Sequence, residues 1–320
     1  MRVTPLIRVG LSAGAVAIIL WRVPIAAMWA TLQNLHGLWL WPALASALAS
    51  LGVRTLKWRG LLRAGGCRAS GRDGMRALFG GFALGVVTPG RLGEFGRGLF
   101  IAEAQRGEVI SLNLIDRFLD SWSVATFAVV SLFLVGRWLA AIVSLAVWIV
   151  LLPALLSLPE IISWLRAKTW WGKIPGPQSR PAGPTLIKFA VASFAAWAML
   201  STSLDIITFY FLLCAFHPTR FITAPATFPW IVMASGIPLS LGGLGLREGA
   251  AVLLLSHYSI TAAVATDAAL FLFAFLSLLP ALGGGILLLL SRQGSSGRAP
   301  AFSALLPGRI LPSEWPMNEK

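Results

Sequence analysis

Ala77-Leu78-Phe79-Gly80-Gly81-Phe82-Ala83-Leu84-Gly85-Val86-Val87-Thr88-Pro89-Gly90-Arg91-Leu92-Gly93-Glu94-Phe95-Gly96-Arg97 is the stretch on which the fold turns. Its apolar part, 77–89, is about a dozen residues long, too short to cross roughly 30 Å of hydrocarbon as a helix. It ends in a Gly/Pro break that carries three charges. Backbone that leaves the helix at membrane depth must be buried in protein or line a polar cavity. The segment therefore reads as re-entrant.

A second break has the same shape. Pro238-Leu239-Ser240-Leu241-Gly242-Gly243-Leu244-Gly245 aligns with Pro89 to Gly96, matching at the proline, the leucine and two glycines. Three crossings separate the two, so the second would enter from the opposite face. That is the layout of an inverted repeat, in which paired Gly/Pro-broken segments mark the binding site. The alternative is that glycine and proline are simply frequent in membrane helices.

Working outward, composition supports a membrane chain. Hydrophobic residues make up 57% of 320 positions and charged residues 12%, against about 25% charge in a soluble domain. The 26 Lys and Arg against 12 Asp and Glu sit in short stretches between apolar runs. The positive-inside effect explains that pattern better than nucleic-acid binding does.

Full spans are expected at about 6–29, 36–55, 118–136, 138–159, 186–214 and 263–290, with Gly136-Arg137 as the hinge between the third and fourth. The expected fold class is all-α integral membrane: about six full transmembrane helices plus two Gly/Pro-broken re-entrant segments. Residues 1–292 form one polytopic domain, and 293–320 are expected to be a disordered tail. Arg54, Lys57, Arg59, Arg63, Arg68, Arg72 and Arg76 read as a cytoplasmic loop, as do Arg166, Lys168, Lys173 and Arg180. Both termini then lie in the cytoplasm and the chain sits in a bacterial-type inner membrane. Many of the tryptophans, Trp21, Trp39, Trp41, Trp58 and Trp138 among them, fall near expected span ends, at headgroup level.

Charges inside this frame select the candidate site. Each one at bilayer depth costs at least about 2.5–3.5 kcal/mol, so it needs a partner or water. Arg91, Glu94 and Arg97 flank the first break, and Arg247 and Glu248 follow the second. These five are the candidate substrate-binding residues; snorkelling to the headgroups is the other reading, open above all for Arg97. Broken helices also expose N–H groups that would suit a phosphate. Pro89, Gly93, Pro238, Gly242, Gly243 and Gly245 shape the breaks.

Asp116 and Asp120 stand one helical turn apart around Arg117. An internal ion pair with Arg117 fits them better than a Mg²⁺ site, since no second acidic cluster completes one. Asp205 and Asp267 read as lone acids; Asp205 is deep enough to carry a proton or cation, and Asp267 falls near the interface. Three scattered histidines and two separated cysteines (Cys67, Cys214) give no metal ligand pattern. No catalytic residue, metal or cofactor is expected.

Thr88–Arg97, Asp116–Asp120 and the run from Pro238 to Gly249, in that order, resemble the flippase-like membrane family typified by the transmembrane half of lysyl-phosphatidylglycerol synthase/flippase. The resemblance covers roughly residues 1–292. It implies a lipid-handling role, usually movement of a polar or isoprenoid lipid between leaflets. A membrane lipid is then the expected partner, lipid-synthesis enzymes are further candidates, and nucleic acid is not. The bifunctional members append a soluble aminoacyl-transfer domain, whereas here a short tail follows the last span, so lysyl transfer is not expected. An intramembrane lipid glycosyl- or phosphotransferase using Asp116 and Asp120, or a scaffold for a lipid-synthesis enzyme, are the alternatives.

Overall fold

Why the chain folds back on itself is clearest in its longest contact, between helices α1 (Leu40–Ala64) and α5 (Pro184–Phe216). Small hydroxyl residues let the two backbones approach. Ser46 Oγ meets Thr208 Oγ1 at 2.7 Å, and Ser50 Oγ donates to Asp205 Oδ1 at 2.6 Å. His36 N donates to Ala215 O at 2.9 Å at one end, and Gly60 packs on Phe194 at the other. Rising numbers on α1 pair with falling numbers on α5, so the helices are antiparallel. The computed structural model describes residues 29–30, 32–67, 70–88, 92–101, 106–157, 184–237, 243 and 245–283, and among them it is helical with no strand.

After α1 comes α2 (Gly71–Val87), whose start is capped by Ser70 accepting from Asp73 N. The chain then reverses into a 3-10 segment, Leu92–Phe100, lying against α2. Glycines make that approach possible. A Cβ on Gly81 would sit 2.6 Å from Arg97 Cγ, one on Gly85 would sit 2.6 Å from Glu94 Cγ, and one on Gly93 would strike the Leu84 carbonyl. The 3-10 run is longer than the usual 3–4 residues; Thr88 Oγ1 accepts from Gly93 N at its start, and Asn113 Nδ2 donates to Glu94 O along it.

Helix α3 (Arg106–Leu134) turns at Gly136, φ +73°, into α4 (Trp138–Leu156). Beyond α5 comes α6 (Thr223–Ser235), a reversal, α7 (Leu246–Leu255), then α8 (Ala262–Phe273), which continues through a π-helical turn, Ala274–Leu278, to Gly283. The second reversal is again tight: a Cβ on Gly243 would lie 2.8 Å from Ser235 O.

The two hairpins start at opposite ends of the α1–α5 pair. Trp58, late in α1, donates to Gly74 O at the start of α2, while Tyr210, late in α5, packs on Phe221 just before α6. Each hairpin has its own apolar core. Trp58, Leu61, Leu78, Phe82, Val109 and Leu119 hold the first, and Phe209, Leu212, Phe228, Ile231, Leu255 and Leu272 hold the second.

Three described helices are long and apolar enough to cross a bilayer: Val109–Leu134, Ala192–Phe216 and Ala262–Gly283. The third expected span thus begins at Val109, ahead of the expected start at 118, and takes in Asp116 along with Asp120. The expected span 138–159 is helical from Trp138 to Leu156, and the hinge at Gly136-Arg137 stands. Apart from Trp29 and Pro184, the expected features at 6–29, 166–184 and 293–320 lie outside the described residues.

Two expectations need correction. The basic stretch 54–76 is not a loop, because Arg54, Lys57, Arg59 and Arg63 belong to α1, and Arg72 and Arg76 belong to α2. Nor does Trp58 sit at a headgroup: it is fully buried, held by its bond to Gly74 and lying under the Arg97 guanidinium.

Candidate functional site

On α1, Ser50, Arg54 and Lys57 recur at i, i+4 and i+7 and so share one face. Asp116 and Asp120 do the same on α3. Where these faces meet, four cations and four anions among the described residues come together. Lys57, 1% exposed, places Nζ 2.9 Å from Asp116 Oδ1 and against Asp120 Oδ1. Arg97, with no exposed surface, donates from Nη1 to Asp116 Oδ2 at 2.7 Å and faces Glu94 at 3.5 Å. Its Cζ lies 4.8 Å above the Trp58 ring.

Arg117 reaches Glu94 at 2.6 Å, Asp120 at 3.0 Å and Asp116 at 3.3 Å. Arg54 closes the set, 2.5 Å from Asp205 and 3.7 Å from Asp120. Taking one ion out of water costs several kcal/mol, and the cost is offset only by close, hydrogen-bonded partners of opposite sign. Equal numbers of each sign let the cluster be buried. It ties α1, α3, α5 and the first hairpin together, so the 3-10 segment Leu92–Phe100 is anchored to the helical frame by charge.

The second break carries a smaller unit. Gly243 (φ +78°) and Gly245 (φ +89°) turn the chain into α7 in conformations that favour glycine. Glu248 then folds back, its Oε2 accepting from Gly245 N at 2.6 Å, and its Oε1 takes Arg247 Nη2 at 2.5 Å and Nε at 3.1 Å. The Arg247 guanidinium also lies 4.6 Å above the Phe273 ring, one residue before the π-helical turn. The backbone donors expected to be open at the breaks are thus used internally in part, Gly245 N by Glu248 and Gly93 N by Thr88.

Of the residues singled out from sequence, Glu94, Arg97, Asp116, Arg117, Asp120 and Asp205 come together in the larger cluster. Arg247 and Glu248 form the second unit. Pro89, Arg91, Pro238 and Gly242 lie outside the described residues. Asp205 is not a lone acid, since Arg54 and Ser50 both bond to it. Asp267 is buried in α8. The ion pair expected within Asp116–Asp120 is present and is joined by Lys57.

Arg54, Lys57, Ser50 and Asn113 were missed as site residues. The signal for the first three was available: a polar stripe at helical spacing within an apolar run. Reading the bases as topology markers concealed it.

No curated protein matches this chain. The family described as "Lysylphosphatidylglycerol synthase TM region" matches residues 6–284, most of its length. The chain therefore belongs to the lysylphosphatidylglycerol synthase transmembrane-region family, whose members are multi-pass membrane proteins with a role connected to membrane lipid.

Proposed function

We propose that the protein translocates a polar lipid, anionic or isoprenoid-linked, between the leaflets of the inner membrane, with both termini in the cytoplasm. The observation that carries this reading is the pair of glycine-lined hairpins starting at opposite ends of an antiparallel helix pair, each with buried charges beside its break. That arrangement is what an inverted repeat would produce, with a polar path between halves that rock against each other. Arg91 and Arg247 would meet the headgroup while the tails remain in hydrocarbon, so only the headgroup's desolvation needs to be offset; Glu94 and Arg97, sealed in the cluster, would hold the first break in place.

The enzymatic alternative asks Asp116 and Asp120 to hold a metal. Lys57 and Arg117 already sit on both carboxylates, which speaks against that role. The test is reconstitution into phosphatidylcholine liposomes with a trace of a fluorescent phosphatidylglycerol in the inner leaflet. Protein-dependent appearance of the label outside, measured with a membrane-impermeant quencher, is expected. A rate equal to that of empty liposomes, with a co-purifying lipid-synthesis enzyme, would favour a scaffold.

A further inference from the structure

The four cations of the large cluster are not equivalent. Lys57 and Arg97 are sealed, whereas Arg54 and Arg117 keep 22% and 24% of their side-chain surface exposed. These two arginines come from different helices, α1 and α3, and converge on a single oxygen. Asp120 Oδ2 lies 3.7 Å from Arg54 Nη1 and 3.0 Å from Arg117 Nη2. At 3.7 Å the first contact is an ion pair without a hydrogen bond, so Arg54 Nη1 retains a donor, and Arg117 Nε is buried without a partner.

Asp120 is also the most exposed acid of the four, at 16% against 5% or less for Asp205, Asp116 and Glu94. Depth adds to the case. Asp205, bonded to Arg54, lies eleven residues from the end of α5 at Phe216, or roughly 16 Å along the axis. That is about half the hydrocarbon thickness. Partly exposed guanidinium at such depth calls for an anion or water, and paired arginine forks match phosphate oxygens.

We propose that Arg54 and Arg117 form a two-guanidinium clamp for the phosphate of an anionic lipid headgroup, with Asp120 as the resident counter-ion that the phosphate displaces. The clamp rests on the lipid-handling reading above and places the headgroup contact on α1 and α3 as well as on the breaks. Asp120 keeps Lys57 as its partner when it yields the arginines, and Asp205 and Glu94 hold the far sides of Arg54 and Arg117. Free phosphate shares the recognised chemistry, and its binding separates the two sources.

The full chain in mild detergent is titrated with phosphatidylglycerol, phosphatidylcholine and inorganic phosphate, with bound lipid read by native mass spectrometry and phosphate by calorimetry. Asp120→Asn leaves Lys57 on Asp116 and Arg117 on Glu94, so it folds; it should bind phosphatidylglycerol about tenfold more tightly, because a competing anion is gone. Arg54→Lys keeps the charge beside Asp205 but loses the fork, and should bind about tenfold more weakly. Parent-like affinity in both variants overturns the clamp. Loss of binding in Arg247→Gln, with Arg54→Lys unchanged, also overturns it and leaves the translocation reading standing at the second break. Inorganic phosphate binding as tightly as phosphatidylglycerol, with the same pattern across variants, keeps the clamp and overturns the lipid as its ligand.

Discussion

Replacing Arg97 with glutamine tests whether the buried cluster holds by charge balance. The side chain has no exposed surface, donates to Asp116 at 2.7 Å, faces Glu94 at 3.5 Å and covers the Trp58 ring. The Arg97→Gln change would leave four anions against three cations in a space with little water. Breaking a buried pair by removing one partner costs about 3–5 kcal/mol. The lower end applies here, since Arg117 still serves Glu94 and Lys57 still serves Asp116. At about 2–4 °C per kcal/mol for a chain of this order, the expected loss is roughly 10 °C in detergent.

The assay is thermal unfolding followed by size-exclusion fluorescence, with Asp116→Asn and the double variant alongside. The double variant restores three charges of each sign. It should therefore melt above the sum of the two single losses by a coupling of about 1–3 kcal/mol. If Arg97→Gln melts like the parent, or if the double variant is merely additive, the balanced-cluster reasoning fails.

Arg247→Gln should behave differently, because Glu248 keeps its bond to Gly245 N after the arginine is lost. It should melt within a few degrees of the parent while lipid movement in proteoliposomes collapses; a well-expressed variant that transports at the parent rate removes Arg247 from the site. Gly93→Ala should destabilise the first hairpin by about 1–3 kcal/mol, since the new Cβ meets the Leu84 carbonyl and not a flexible side-chain end; parent-like melting would mean the hairpin is looser than described. Single cysteines at positions 219 and 68 should label from opposite sides of intact cells, 219 from outside, in line with the distribution of bases. Labelling of position 68 from outside would reverse the topology.

Much of the helical frame was legible in the sequence, and the part that was not has one physical cause. Gly136 punctuated α3 and α4, the apolar run 186–214 marked α5, and Gly236 to Gly245 marked the second reversal, because each signal is local. The cluster is not local. Asp205 and Arg54 are 151 positions apart and Lys57 and Asp120 are 63 apart, so nothing near Arg54 reveals that it is paired rather than solvated. Hydropathy counts a charge as a mark against a span, which turned half of α1 into a loop. The contact at the second break is local, Glu248 Oε2 accepting from Gly245 N three residues back, but with glycine at the N-cap the reciprocal side-chain bond of a capping box is missing, so the spacing carried no signal.

Charge balance then constrains any function assigned to this region. Among the described residues the four cations of the cluster are matched by four anions, and Arg97 and Lys57, sealed among carboxylates, hold the frame. On the proposed reading, an arriving phosphate exchanges with a carboxylate. Among the four acids, Asp120 alone combines exposure, contact with two half-open arginines and a second cation to retreat to. Exchange of one anion for another costs far less than bringing an uncompensated charge into hydrocarbon. On the proposed reading, a charge-matched cluster would let an anionic headgroup both arrive and leave, whereas a permanently positive pocket would hold it.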